Sequence, residues 1–176
     1  MKTFDPTFVR ILLFSVFLVS LYDLSAQIVM TPATPIPPKV LRNAIIKAPA
    51  EIVWQQLIKL DNMAEYTSGY ITEVQKIGNG EGARRILKFS NSDQRTESVT
   101  FQNNRLRQIN FAVANSNLPQ SYMYAFYADS LSETKCRVTL RAFYNVENNK
   151  NKFEMNRFIG KEFDLILKGL KQYYEK

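Results

Sequence analysis

The sequence contains no histidine and a single cysteine, Cys136. Histidine is the most frequent general base and a frequent metal ligand, so its absence rules out Ser-His and Cys-His nucleophile pairs. One cysteine cannot form an intramolecular disulfide, and a zinc site needs several histidine or cysteine ligands. We therefore predict no metal site and no cofactor, and we expect the domain to be held together by its core.

A long run of basic residues is also missing, although the chain carries a net charge of +7. The basic residues are scattered along the sequence, as Arg84, Arg85, Arg95, Arg105 and Arg141 illustrate, and they match no nucleic-acid-binding motif. A solvated basic surface is the simplest interpretation of this pattern. We predict no specific nucleic-acid partner, while peripheral contact with an anionic membrane surface is an alternative.

The chain has one long apolar run, residues 11–22, which is shorter than the roughly 20 residues that a helix needs to span a bilayer. Positive charges precede this run, and the small residue Ala26 follows it where a signal peptidase would cut. We predict that residues 1–26 are a signal peptide and that the protein is exported to the periplasm or the extracellular space. An uncleaved membrane anchor is the alternative.

Proline is concentrated in residues 31–38, a composition that favours an extended linker over a helix or a central strand. We therefore assign residues 27–38 to a linker and residues 39–176 to one folded domain. That length matches an ordinary single domain, and its aliphatic and aromatic residues suffice for a substantial core. The domain contains no internal repeat, and we expect it to be a monomer.

The domain reads as one strand, two short helices, six further strands and a long helix. The first strand is predicted over residues 40–47, and the short helices over residues 50–58 and 61–66. Because the later connections are short and rich in turn-forming residues, we expect consecutive antiparallel hairpins. The six further strands are predicted over residues 70–77, 83–89, 94–102, 106–114, 122–130 and 135–146.

The last helix is predicted over residues 152–174, where apolar residues recur every three or four positions and form one stripe. The stripe consists of Met155, Ile159, Phe163, Ile166, Leu170 and Tyr173. Gly160 and Gly169 lie near its two edges, and a glycine inside a helix costs about 1 kcal/mol relative to alanine. Either close approach of another segment or chance explains each glycine.

Several short motifs, taken in order, resemble one known family. Ala48-Pro-Ala-Glu-Ile-Val-Trp54 follows the first strand, Gly80-Glu-Gly-Ala-Arg84 leads into the third, and Gly169-Leu-Lys171 lies near the chain end. They resemble the START-like or SRPBCC superfamily, in particular its polyketide cyclase/dehydrase branch. The resemblance implies an α+β helix-grip fold, in which a curved, seven-stranded antiparallel sheet wraps around a long C-terminal helix. Two short helices follow the first strand, and a cavity lies between the sheet and the long helix.

Glu97 and Arg107 are the candidates for a catalytic role. If Val99 and Ile109 face the long helix, strand alternation places Glu97 and Arg107 on that same inward face, where the two could pair. Desolvation would raise the pKa of a buried carboxylate and an arginine would lower it, and either state could serve a ligand or an acid/base step. The alternative is that the two residues only satisfy each other near a strand end.

Aromatic and aliphatic side chains on the inward faces are the candidates for ligand contact. Most of them are expected to be core, but an incompletely filled apolar chamber with phenol groups at its rim suits a lipid-like or polycyclic ligand. The predicted ligand-binding residues are Tyr66, Tyr70, Phe89, Val99, Phe101, Ile109, Phe111, Tyr124, Phe126, Leu140, Tyr144, Ile159, Phe163 and Ile166.

Three functions are compatible with these features. The first is an exported binding module that holds or transports a hydrophobic small molecule between the sheet and the long helix. The second is a metal-independent enzyme that resembles polyketide cyclases and dehydrases. The third is a structural or interaction protein of the cell envelope with a sealed interior. Because one fold supports many functions, the resemblance does not choose among them, and we prefer the binding module because it needs only the cavity.

Overall fold

A computed structural model describes residues 36–114, 118 and 121–175, so the predicted signal peptide lies outside the described residues. The chain from Pro37 onward forms one compact unit. The elements in chain order are β1 (Val40–Ile46), α1 (Ala50–Leu57), α2 (Met63–Tyr66), β2 (Ile71–Ile77), β3 (Arg84–Phe89), β4 (Gln94–Asn103), β5 (Gln108–Ala114), β6 (Tyr122–Ser132), β7 (Lys135–Phe143) and α3 (Asn149–Tyr174).

Seven strands of the described residues form one antiparallel sheet in the order β1-β7-β6-β5-β4-β3-β2. From β2 to β7, each strand pairs with the next strand in the chain, as the short connections predicted. The first strand joins the other end of this series, because Val40 pairs with Ala142 and Ile46 pairs with Cys136. The predicted α+β helix-grip fold is thereby confirmed.

The first short helix begins at a proline and turns its apolar side inward. Pro49 is the last residue before α1, and its carbonyl accepts the N–H of Val53 at 3.1 Å. Proline suits a helix start because its φ is fixed and its missing N–H would have no helical partner. Val53, Trp54 and Leu57 are almost completely buried, so α1 contributes directly to the core.

The long helix α3 packs its apolar stripe into the core. Its first residue is Asn149, three residues earlier than predicted, because the side chain of Asn148 caps the helix by accepting the N–H of Lys150 at 2.8 Å. The buried stripe includes Met155, Ile159, Phe163, Ile166 and Leu170. Among the described residues, no helix combines the length and the apolar character needed to cross a membrane.

A close contact fixes α3 against the end of α2. A Cβ atom at Gly169 would lie 1.8 Å from the backbone oxygen of Tyr66, so no other residue fits there without a backbone shift. Close approach is therefore the explanation for Gly169. At Gly160 the nearest atom is Nη2 of Arg42, which a Cβ would meet at 2.9 Å. That atom ends a flexible, half-exposed side chain that can move.

A β-bulge in β4 decides which side chains face the core. Val99 pairs with Phe111, but Phe101 pairs with Asn110, so β4 carries one extra residue between the two pairs. Cross-strand partners share a face, and Asn110 lies on the opposite face from its neighbours Ile109 and Phe111. Phe101 therefore points to the outer face of the sheet. The inward orientation assumed in its prediction as a ligand-binding residue is therefore corrected, because alternation counted from Val99 fails across the bulge.

Candidate ligand-binding site

A cleft of about 370 Å³ opens between α3 and the hairpin that joins β3 to β4. Its apolar wall is formed by Tyr70, Phe89, Phe158 and Leu165. The polar residues that line it are Ser90, Asn91, Asp93, Gln94, Arg95, Lys161 and Glu162. Small-molecule pockets commonly span about 300–1,000 Å³, so this cleft is large enough for a small ligand and lies near the lower end of that range.

The β3–β4 turn holds polar groups at one side of the cleft. The N–H of Phe89 donates to the carbonyl of Asp93 at 2.9 Å, and the N–H of Ser92 donates back to the carbonyl of Phe89 at 2.9 Å. Ser92 adopts a φ of 68°, which lets the chain reverse within these few residues. The side chain of Asn91 donates to Asp93 at 2.7 Å, so the turn is locked by its own polar groups.

Two aromatic rings from neighbouring segments form the inner part of the wall. The rings of Tyr70 and Phe89 have centroids 5.2 Å apart and are tilted by 60°, a favourable arrangement for an aromatic pair. The N–H of Ser90 donates to the carbonyl of Tyr70 at 3.1 Å and ties the two segments together. Phe158 on α3 is 41 % exposed, so its ring is accessible to a ligand.

The floor of the cleft is an ion pair that joins the sheet to α3. Arg95 of β4 donates from Nη1 to Glu162 at 2.7 Å and from Nη2 to the other carboxylate oxygen at 2.5 Å. This two-point geometry is the strong form of arginine–carboxylate pairing. Arg95 also donates to the hydroxyl of Tyr122 at 3.1 Å and lies 5.0 Å from the ring centroid of Phe89. Its Nε–H has no hydrogen-bond partner among the described residues, although Arg95 is only 3 % exposed.

A second buried ion pair continues from this floor into the core. One oxygen of Glu97 lies 2.7 Å from Nη2 of Arg95. The other oxygen accepts hydrogen bonds from Nε of Arg85 at 2.8 Å and from the hydroxyl of Tyr124 at 2.6 Å. Arg85 in turn donates to the hydroxyl of Tyr124 at 2.8 Å. With Glu162 included, two buried arginines face two buried glutamates, so the cluster carries no net charge.

Burial and pairing together set the charge states of this cluster. Burial by itself would raise the pKa of Glu97, but the charges of Arg95 and Arg85, with hydrogen bonds from Tyr124 and Arg85, hold that pKa below the ordinary value of 4.5. Glu97 is therefore ionised at neutral pH. Burial raises the pKa of Tyr70, and the negative charge of Glu162 raises it further, so the Tyr70 phenol keeps its proton.

The cleft offers hydrogen-bond donors more readily than free acids or bases. Both carboxylates of the cluster, Glu97 and Glu162, are engaged by arginines. Lys161, which lines the cleft, supplies an ammonium donor. The phenol of Tyr70 is hydrogen-bonded to Glu162, and the Nε atom of Arg95 has almost no accessible surface. Within the described part of the chain, no group of three or more histidine, cysteine or acidic residues could hold a metal ion.

A second groove on α3 has a different character. It measures about 430 Å³ and is lined by Arg42, Arg157, Asp164 and Lys168 among other residues, with no aromatic side chain. Arg42 and Asp164 form an exposed ion pair across it at 3.2 Å. Because its lining is mostly long, charged and exposed, this groove is a weaker candidate for an apolar ligand than the aromatic cleft.

Apart from Phe101 on the outer face of the sheet, the predicted ligand-binding residues divide between the cleft and the core. Tyr70 and Phe89 line the cleft. Most of the others pack against one another, as when Phe111 stacks on Tyr124 with centroids 5.1 Å apart and Phe163 lies 5.9 Å from Tyr124. The other buried members of the set are Tyr66, Val99, Ile109, Phe126, Leu140, Tyr144, Ile159 and Ile166.

The predicted pair of Glu97 and Arg107 does not form. Glu97 faces inward as alternation predicted, but it is paired with Arg85 and Arg95. Arg107 precedes β5 in a turn, with a φ of 46°, so the alternation of the strand does not apply to it. Its Nε donates to the carbonyl of Ala128 at 2.8 Å. Neither Glu97 nor Arg107 is among the residues that line the cleft.

The pattern of the sequence did not identify Arg95 and Glu162 of the floor or Arg85 of the second ion pair, and it predicted that both arginines lie on a solvated surface. The structure corrects that assignment, because both arginines are almost completely buried. A signal for them was present in the pattern. Arg85 alternates with the apolar Leu87, and Glu162 follows Ile159 by three positions on the apolar stripe, so charged residues occupy inward positions. Such a placement indicates a buried, paired charge.

Residues 37–175 match the family described as polyketide cyclase / dehydrase and lipid transport. The protein belongs to this family. The match spans most of the chain, and it confirms the resemblance to the polyketide cyclase/dehydrase branch of the SRPBCC proteins. The family binds hydrophobic small molecules. No protein of curated function matches the sequence significantly.

Solved structures of other proteins share the fold of this family member at low sequence identity. The protein XoxI from Bacillus cereus superposes with a TM-score of 0.68 at 18 % identity, over 77 % of this chain and 94 % of XoxI. Norcoclaurine synthase from Thalictrum flavum, solved with dopamine and hydroxybenzaldehyde, gives 0.63 at 13 % identity over 84 % and 95 %. The Zhui aromatase/cyclase from Streptomyces sp. R1128 gives 0.63 at 12 % identity over 77 % and 92 %. Identities this low establish the shared fold alone.

Proposed function

We propose that this family member is an exported binding module that holds a hydrophobic small molecule, lipid-like or polycyclic, in the cleft between α3 and the β3–β4 hairpin. The observation that carries the proposal is the aromatic wall of Tyr70, Phe89 and Phe158 above a floor whose charges are paired. Such a wall gains free energy by burying apolar ligand surface, at about 25 cal/mol per Å². The description of the family, which includes lipid transport, supports the same function.

The state of the carboxylates favours binding over acid/base catalysis. A general acid or base works best when its pKa lies near the working pH and its proton can reach the substrate. Glu97 is enclosed by arginines, and its pKa is lowered rather than raised toward neutrality. Glu162 lines the cleft but is held by Arg95 at two points. A cyclase or dehydratase activity would need one of these groups to be released.

Native mass spectrometry of the protein purified under native conditions tests the proposal. We expect a non-covalent small molecule that dissociates on denaturation, or uptake of one compound class from a panel of fatty acids, sterols and aromatic polyketides. Phe158→Ala should weaken binding about tenfold, because it removes a ring from the mouth of the cleft. The protein should stay folded, since Phe158 is 41 % exposed.

Phe153→Ala is the matched control, because Phe153 is also on α3, is 66 % exposed and does not line the cleft. We expect it to bind as the unaltered protein does. A protein that is empty and takes up no member of the panel contradicts the proposal. Equal losses of affinity in the two variants would indicate that the ligand binds outside the cleft.

Export is a separate part of the proposal and rests on the sequence of residues 1–26. The apolar run followed by Ala26 supports cleavage before Gln27. N-terminal sequencing of the protein recovered outside the cytoplasm should begin at Gln27, and Ala26→Asp should leave an uncleaved precursor. Recovery of the intact chain from the cytoplasm of its own cell would overturn this part without affecting the cleft.

A further inference from the structure

We infer that the ligand of the cleft is an uncharged ring compound, and that ionised acids are rejected. This inference deepens the proposed function and rests on it. Arg95 is shared between the carboxylates of Glu162 and Glu97, and Arg85 adds the second positive charge against Glu97. No positive charge of this cluster is left over for a ligand anion.

The charges of the other residues that line the cleft cancel as well. Lys161 supplies one positive charge and Asp93 one negative charge among the residues that line it. A ligand carboxylate would therefore lose its hydration shell without gaining a surplus cation. To reach Arg95 it would have to displace Glu162, and the two carboxylates would then face each other. Such like-charge contacts are unfavourable in an interface.

An uncharged ligand avoids these costs. The Nε–H of Arg95 lacks a hydrogen-bond partner among the residues described, but its nitrogen has almost no accessible surface, so a ligand in the cleft does not reach it. The phenol of Tyr70 is hydrogen-bonded to Glu162. Neither donor therefore compensates an anion for its lost hydration.

The wall and the volume define the rest of the ligand. Tyr70 and Phe89 present tilted rings, and Phe158 adds a third ring from α3. Flat ring systems stack on such surfaces at little entropic cost because they have few rotatable bonds. The volume of about 370 Å³ fits a compact ligand of a few fused rings better than a diacyl lipid.

Three naphthalene probes test the inference by calorimetry at pH 7 with the purified protein. They are 2-naphthol, 2-naphthoate and methyl 2-naphthoate, which share one ring system and differ in charge. We expect 2-naphthol and the methyl ester to bind at least about tenfold more tightly than 2-naphthoate, because only the carboxylate lacks a counter-charge. Equal or tighter binding of 2-naphthoate overturns the inference and leaves the proposed function standing.

Glu162→Gln supplies the second arm, because it keeps the shape of the side chain and frees positive charge on Arg95. We expect the affinity for 2-naphthoate to rise about tenfold relative to that for 2-naphthol, so that the preference for the neutral probe is lost or reduced. Asp164→Asn is the matched control, since Asp164 is a nearby acid on α3 outside the cleft, and it should change neither affinity. If none of the probes binds and the protein also takes up no member of the broader panel, the proposed function itself fails.

Discussion

Arg95 connects two parts of the protein at the scale of single residues. It reaches Glu97 on its own strand and Glu162 on α3, and both contacts are almost completely buried. Removing one member of such a cluster leaves a buried charge without its partner, which costs far more than the loss of an exposed pair. The cluster should therefore be sensitive to single substitutions that look modest from the sequence.

Glu162→Ala should lower the free energy of unfolding by about 3 kcal/mol, because Arg95 loses its two-point partner in a buried site. Asp164→Ala is the control, since Asp164 pairs with Arg42 on the surface at 3.2 Å with 60 % of its side chain exposed. It should cost less than about 1 kcal/mol. Urea unfolding of both variants is the measurement. Equal losses in the free energy of unfolding would show that the buried pair stabilises the fold no more than the exposed pair does.

The pKa of Glu97 predicts a loss of stability in acid. Its pKa in the folded protein lies below the ordinary 4.5, so its contribution is present above that value and is lost as the pH falls through the lower folded pKa. The free energy of unfolding should decline in this range, from about pH 5 downward. Glu97→Gln should be less stable at neutral pH and show a flatter decline. Parallel curves for both proteins would contradict the assignment.

At the scale of elements, the local sequence pattern predicted which helices and strands exist better than it predicted where they begin and end. The strands and α3 appear where alternation and the apolar stripe indicated, because burial of one face imposes the period. The turn at Arg107 and the bulge between Val99 and Phe101 could not be predicted from the local sequence pattern. Neither site contains a glycine or proline to mark it, and each depends on how the neighbouring strand pairs.

The two glycines of α3 give opposite predictions for alanine substitution. Gly169→Ala should destabilise the protein by about 2 kcal/mol or more, because its Cβ would collide with the backbone of Tyr66 and force a shift. Gly160→Ala should be neutral or stabilising by up to about 1 kcal/mol, since helix propensity improves and only the Arg42 side chain must move. Thermal unfolding of both variants is the measurement. An equal change of the unfolding temperature in the two variants would contradict the close contact at Gly169.

At the scale of the whole molecule, the buried charges cancel and the excess charge lies elsewhere. Two arginines and two glutamates form the inner cluster, so the net charge of +7 belongs to the rest of the chain. A basic surface therefore stays a prediction for the remaining residues, although Arg85 and Arg95 were wrongly assigned to it. Stability must come from the core, since Cys136 is a free, buried thiol.

Cys136 provides a probe of global stability. It lies on β7 between Ile46 of β1 and Ser130 of β6, and burial raises the pKa of its thiol. Labelling by a thiol reagent should require opening of the sheet, so the free energy from labelling should match that from urea within about 1 kcal/mol. Ser132→Cys in a Cys136→Ala background is the exposed control and should react at once. Rapid labelling of the native thiol would reveal a local opening instead.

The sequence by itself determined the order of elements, the inward faces of most strands and the family, because these follow from local periodicity and short motifs. It did not determine the site. Arg95 and Glu162 lie 67 residues apart, and nothing local links them. Their pairing became necessary only when the sheet and α3 removed both charges from water, since a buried charge needs a partner. Among the described residues, the tertiary structure thereby decided which inward-facing side chains pack against one another and which line the cleft beside α3.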